Sequence, residues 1–228
     1  VQENNHIPAI CTGRSMALIN QDLLDIGFEG VIAGAGTYVS YDGKVIHQVS
    51  QDGKMAMEMG ELLVQGKINY ILEGPEYIYF DSKQEMELDE YVQNAINLIG
   101  MDRFRSIDGG DVIFNKISTR ISQESVIHPT LKENYEMVIH KSMNVIEMVP
   151  KGYNKAVGIK KMIDYLGIDK KNTYAFGDST NDIEMLEFVE YGVAMGNSYP
   201  EVKKKAKYTT KSIYEDGIYY GLKELGLI

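Results

Sequence analysis

The alternation of apolar and polar positions divides the chain into a repeating outer pattern and a different middle. Ile7 to Cys11 is a short apolar run that predicts a strand, Ser15 to Ile26 carries a helical spacing, and Gly30 to Ala33 predicts a second strand. The same rhythm returns later. Lys155 to Leu166 places Ala156, Ile159, Ile163 and Leu166 at helical intervals. A strand over 173–177, a helix over 180–189, a strand from Tyr191 to Ala194, a helix from Pro200 to Ala206, a strand Tyr208-Thr209-Thr210 and a final helix follow. Strands alternating with helices predict a parallel sheet covered on both faces.

The middle departs from this rhythm. Tyr70-Ile71-Leu72, Tyr77-Ile78-Tyr79-Phe80, Tyr135 to His140 and Asn144 to Met148 read as strands, with Glu73-Gly74-Pro75-Glu76 and Lys141-Ser142 as tight turns. Hairpins imply an antiparallel sheet. Helical stretches at 55–65 and 86–99 interrupt it, and turn residues at Gln51-Asp52-Gly53 and Pro150-Lys151-Gly152-Tyr153 mark its borders. The expected fold class is therefore α/β. A core from residues 1–52 and 151–228 carries a parallel sheet, and an inserted α+β unit over 53–150 carries an antiparallel one.

Composition narrows the partners. The 228 residues are 44% hydrophobic and 25% charged, enough for one large domain or two modest ones. A net charge of -10 argues against a broad nucleic-acid or membrane-surface footprint, while leaving room for a small anionic substrate in a local positive site. No apolar run approaches the ~18 residues of a membrane span. Val1-Gln2-Glu3-Asn4-Asn5 lacks the basic and apolar blocks of a signal peptide. Cys11 is the only cysteine, so no internal disulfide forms, which suits a cytoplasmic location. Within its apolar run it reads as a small buried hydrophobe. His6, His47, His128 and His140 show no metal-ligand spacing and read as incidental.

Three segments could carry chemistry. Gly177-Asp178-Ser179-Thr180-Asn181-Asp182 stands where a strand hands over to a helix. Carboxylates four residues apart there sit one turn apart, and could converge on a hard cation such as Mg2+. The plainer reading is a turn with an Asp cap. Asn181 could donate to a phosphate or orient a metal-bound water. Thr12-Gly13-Arg14-Ser15 follows the first strand and opens the predicted helix, either as a plain N-cap or as a grip on a phosphate oxygen. Lys155 begins a helix, against the macrodipole. It is either a solvated lysine in a lysine-rich stretch or the neighbour of an anion. Gly34-Ala35-Gly36 suggests close backbone approach or positive φ. Asp108-Gly109-Gly110-Asp111 lacks a preceding apolar strand and reads as a loop.

Taken together these residues resemble the haloacid dehalogenase (HAD) superfamily, and within it the Cof-type phosphatases with a type-IIB cap. Thr12-Gly13-Arg14 resembles the motif whose Thr holds the phosphoryl group, and Asn154-Lys155-Ala156 the motif whose Lys neutralises nucleophile and phosphate. Gly177 to Asp182 resembles the GDxxND motif, whose first Asp binds Mg2+ and whose second supports the site. Gly192-Val193-Ala194-Met195-Gly196-Asn197, Glu201-Val202-Lys203, Ala206 and Glu215-Asp216-Gly217 match the family's C-terminal pattern. The resemblance implies a Rossmann-like core with an inserted cap. It implies Mg2+-dependent hydrolysis of small phosphate monoesters, sugar phosphates or similar metabolites, through an aspartyl-phosphate. The implied site residues are Thr12, Lys155, Asp178 and Asp182 for catalysis, with Asp178 and Asp182 at the metal. Thr12, Gly13, Arg14, Lys155 and Asn181 are implied at the phosphate and substrate. A phosphomutase and a catalytically silent binding protein are the alternatives.

Two departures stand out. Ala35-Gly36 replaces the family's usual Asn-Gly, and the DxDGT motif that carries the nucleophile does not precede Thr12. The expectation is that this motif lies in a segment ahead of Val1, and that the chain as given does not turn over phosphate esters.

Overall fold

The computed structural model describes residues 1–82, 90–140 and 144–228. The Lys141-Ser142 turn and the first part of the helix expected over 86–99 lie outside the described residues. The chain opens with β1 (Ala9–Cys11), α1 (Gln21–Leu24), β2 (Gly30–Ala33), β3 (Tyr38–Tyr41) and β4 (Lys44–Gln48). Then come α2 (Gly53–Gln65), β5 (Asn69–Glu73), β6 (Ile78–Phe80), α3 (Glu90–Ile99), β7 (Phe104–Ser106), β8 (Lys116–Arg120), α4 (Pro129–Asn134), β9 (Tyr135–His140) and β10 (Val145–Pro150). It closes with α5 (Lys155–Leu166), β11 (Tyr174–Gly177), α6 (Ile183–Phe188), β12 (Tyr191–Ala194), α7 (Pro200–Lys205), β13 (Tyr208–Thr209) and α8 (Gly217–Glu224).

The strands form three sheets. β1 runs parallel to β2, which continues antiparallel through β3 and β4. β11, β12 and β13 form a parallel sheet. The middle strands form a six-stranded sheet in the order β7-β6-β5-β8-β10-β9, antiparallel except where β6 meets β7. The mixed α/β fold with parallel strands and a separate antiparallel sheet is the expected one.

Helix α5 joins the two outer sheets. Asn154 caps it by accepting from the Val157 N–H at 3.0 Å, and Gly167 ends it in a left-handed conformation. Ile159 and Cys11 belong to both apolar clusters beneath it, one around Ile32, Val39 and Met162, the other around Ala175, Leu186 and Ala194. Yet β1 and β11 share no ladder: each is an edge strand of its own sheet.

The inserted sheet is two-faced, as period-2 alternation requires. Tyr70, Leu72, Ile117, Ile146 and Met148 pack with Met59 and Leu63 of α2 and Leu131 of α4. Glu73, Lys116, Ser118 and Glu147 lie on the opposite face, which turns toward the loop after β1.

The structure corrects the first helix. Ser15 to Ile26 forms only a 3-10 turn at Met16–Leu18 and the four-residue α1. Ala17 and Leu18 pack toward α3, while Ile19 packs toward β2 and β3. Successive side chains serving two opposite clusters cannot share one helical face. Strands β3, β4, β7 and β8 and helix α4 went unread. For β3 and β4 the signal was present in Asp42-Gly43, a two-residue hairpin turn with positive φ at both positions.

Candidate active site

Three segments meet near the carboxyl ends of the parallel strands β1 and β11, the place where open α/β sheets bind ligands. They are the loop after β1, the start of α5 and the loop after β11.

The first loop is held by its backbone. The Thr12 N–H donates to the Ile32 carbonyl at 2.8 Å and its carbonyl accepts from Ala35 at 3.1 Å. Thr12 Oγ1 accepts from the Arg14 N–H at 3.2 Å, so its own O–H remains free to donate. The Arg14 side chain is exposed. Because no regular helix begins here, the phosphate grip expected of a helix N-terminus reduces to this hydroxyl and the local amides.

Gly36 brings this loop against α5. Its φ is +90°, and a methyl group built on it would sit 2.2 Å from the Asn154 carbonyl oxygen. The close approach expected of Gly34-Ala35-Gly36 is real, and Ala35 itself has a φ of +53°.

Lys155 is no surface lysine. Its side chain is 8% exposed, and Nζ lies 2.5 Å from Asp182 Oδ1 and donates to Asn181 Oδ1 at 3.2 Å. Two of its three protons are thus engaged and one is left. Asn181, accepting through Oδ1, turns its amide nitrogen toward Gly13: a methyl on Gly13 would sit 3.5 Å from Asn181 Nδ2.

Asp178 and Asp182 do not share a helix face. Asp182 ends a 3-10 turn, Thr180–Asp182, and its Oδ2 accepts from the N–H groups of Asp178 at 2.9 Å and Ser179 at 3.0 Å. With Oδ1 on Lys155, both Asp182 oxygens are spoken for. The geometry gives it the work of closing the loop and holding the lysine, and argues against the direct metal contact expected of it. Asp178 is exposed, and its Oδ2 accepts from Asn197 Nδ2 at 3.1 Å. Among the described residues no group of three or more His, Cys, Asp or Glu side chains could hold a metal. Asp178 fits Mg2+ as one protein ligand among several, since that ion usually keeps waters and shares phosphate oxygens.

Cys11 lies beneath this cluster. Burial pushes its thiol up to about 12 despite nearby Lys155, so it stays protonated and serves as packing.

A second charged cluster faces the first loop from the inserted sheet, and the sequence reading missed it. Lys116 Nζ donates to the Gly13 carbonyl at 3.0 Å and pairs with Glu147 at 2.9 Å and Glu73 at 3.2 Å. Glu73 also accepts from the Ser15 N–H at 3.3 Å and from the Ser118 hydroxyl. Burial alone would raise the Glu147 carboxyl, but Lys116 and then His140 outweigh it and hold it down at about 2. His140 Nε2 stands 3.6 Å from Glu147 Oε2, so this histidine is not incidental to the cluster. The available signal was a lone charge inside the apolar run Val145-Ile146-Glu147-Met148-Val149.

The family model for haloacid dehalogenase-like hydrolase matches residues 1–222. "Putative phosphatase YkrA" of Bacillus subtilis (strain 168) is 31% identical over 235 residues, covering 100% of this chain and 88% of that protein. The same organism's 5-amino-6-(5-phospho-D-ribitylamino)uracil phosphatase YitU is 32% identical over 202 residues, covering 82% of this chain and 74% of YitU. A solved structure described as a HAD subclass IIB sugar phosphatase superposes with a TM-score of 0.75 at 27% identity, over 96% of this chain and 85% of that one.

Proposed function

The chain belongs to the haloacid dehalogenase-like hydrolase family, and from that premise we propose a Mg2+-dependent, cytoplasmic phosphatase acting on small phosphate monoesters, sugar phosphates among them. The observation that carries this reading is the buried Lys155–Asp182 pair at 2.5 Å, set beside the exposed Asp178 and the amide of Asn181. A buried cation with one proton to spare, next to outward donors, suits an oxyanion.

In this reading residues 53–150 form the cap and residues 1–52 and 151–228 the core. The attacking carboxylate belongs to the DxDGT motif of the family, on a strand inserted between β1 and β11. The separate ladders of these two strands, over shared apolar contacts at Cys11 and Ile159, support that placement. The carboxylate attacks phosphorus, the P–O bond to the alcohol breaks, and water then hydrolyses the acyl phosphate to inorganic phosphate. Lys155, the Thr12 hydroxyl, the Asn181 amide and the Gly13 N–H hold the phosphoryl oxygens as charge shifts onto them. Asp182 keeps Lys155 in place. Arg14, exposed at the loop tip, meets the leaving group. Asp178 would hold the Mg2+, which supplies charge neutralisation between carboxylate and phosphate when bound.

The test is Asp178→Asn in the polypeptide that carries the nucleophile. Turnover of p-nitrophenyl phosphate should fall about a hundredfold or more, and calorimetry should show weaker Mg2+ binding. Unchanged rate and affinity would remove Asp178 from this role.

A further inference from the structure

The cluster on the inner face of the inserted sheet does more than brace it. Lys116 is saturated: it is 1% exposed and bonded to Gly13, Glu73 and Glu147. It has no free direction in which to meet a ligand. Glu147 differs. Its Oε1 accepts from Lys116 at 2.9 Å, while its Oε2 has His140 Nε2 at 3.6 Å, beyond hydrogen-bond length, and lies 3.5 Å from a methyl position on Gly13. The Asn181 amide lies 3.5 Å from that same position. A carboxylate oxygen of the insert and an amide of the core therefore both lie within 3.5 Å of one point above Gly13.

Glu73 and Glu147 bring two carboxylates to one lysine, with His140 beside the second, and the more accessible of the two is Glu147, 16% exposed against 0% for Glu73. A carboxylate held ionised repels a phosphate dianion. It attracts hydroxyl protons on whatever the phosphate is esterified to. The adjoining Asn115 is 0% exposed, and neither of its amide atoms has a hydrogen-bond partner among the described residues. It lies 3.6 Å from a methyl position on Gly34, so the same seam holds further unused donors and acceptors.

We infer that Glu147 is a specificity-determining residue whose Oε2 accepts hydrogen bonds from hydroxyl groups of the leaving alcohol, selecting polyol phosphates over esters without such donors. This rests on the phosphatase reading and adds to it a substrate feature and the residue that reads it. The β10 backbone fixes where Glu147 stands, and Lys116 fixes its rotamer.

The experiment compares sorbitol 6-phosphate with phenyl phosphate in the polypeptide that carries the nucleophile. Glu147→Gln retains an oxygen for Lys116 but presents an N–H pair where the hydroxyl donors must dock. The ratio of kcat/KM for the polyol ester to that for phenyl phosphate should fall about tenfold, chiefly through KM for the polyol ester. Glu147→Asp keeps the charge with a shorter reach. It should lose less of the ratio, and it carries the measurement alone if the Gln variant does not fold. An unchanged ratio, with both rates falling together, would mean that Glu147 only braces the sheet and would overturn the inference. A wild-type enzyme that hydrolyses neither ester would bring down the phosphatase reading and this inference with it.

Discussion

Two buried lysines face the loop after β1, one from each side. Lys155 rises from the start of α5 and Lys116 from the start of β8. Both are paired with carboxylates. Lys155 meets one carboxylate, Asp182, whose second oxygen is already satisfied by two backbone N–H groups. One of its protons is left over. Lys116 meets two carboxylates and a carbonyl and has nothing left over. The same residue type is thus available for chemistry on the core side and spent on architecture on the other. The number of acceptors around each ammonium decides which.

That contrast can be broken by removing each charge. Lys155→Met should cost turnover on the order of a hundredfold to a thousandfold, measured with p-nitrophenyl phosphate in the nucleophile-bearing polypeptide. Its stability cost should be smaller, about 1–3 kcal/mol, because Asp182 keeps its two N–H donors. If urea denaturation shows a large loss while the folded remainder keeps its rate, Lys155 is structural after all. Lys116→Met should do the reverse. It leaves two buried carboxylates, Glu73 and Glu147, without their shared cation, and urea denaturation should register about 3–5 kcal/mol. A loss well below that, with turnover abolished, would move Lys116 into the chemistry.

Acid sharpens the comparison with a gentler effect. The Glu147 carboxyl sits at about 2 in the folded protein against an ordinary 4.5. A carboxyl depressed by folding contributes stability that is full above its unfolded value and lost as protons bind the native state. Stability should therefore decline as pH falls from about 4.5 toward 2. Glu147→Gln should flatten part of that slope. Identical slopes for wild type and variant would show that Glu147 gains nothing from Lys116.

The glycine loop and the helix it touches show how much was legible beforehand. The span of α5 could be read from Lys155 to Leu166 because cap, apolar spacing and terminal glycine all lie within one segment. β2, β9 and β12 were equally local, and the Gly36 approach was readable because a glycine signals that something must come near. The first helix does not form as expected because the adjacent Ala17, Leu18 and Ile19 serve two separate clusters. The candidate site divides in the same way. Thr12, Lys155, Asp178 and Asn181 were readable as candidate residue types, Thr12 and Asp178 just after strands and Lys155 at a helix start. That Asp182 belongs to the lysine was not, because the two lie 27 positions apart in the chain.

From its sequence alone the chain specified the alternation of strands and helices at its two ends and the antiparallel sheet in its middle. These depend on hydrophobic period and turn residues, which act over a few neighbours. Only the folded arrangement assigned the charges. Whether an ammonium is idle or spent, whether Asp182 holds a lysine or an ion, and which strand turns Glu147 toward Gly13 depend on groups far apart in the chain. Their energies exist only once water has been excluded from between them.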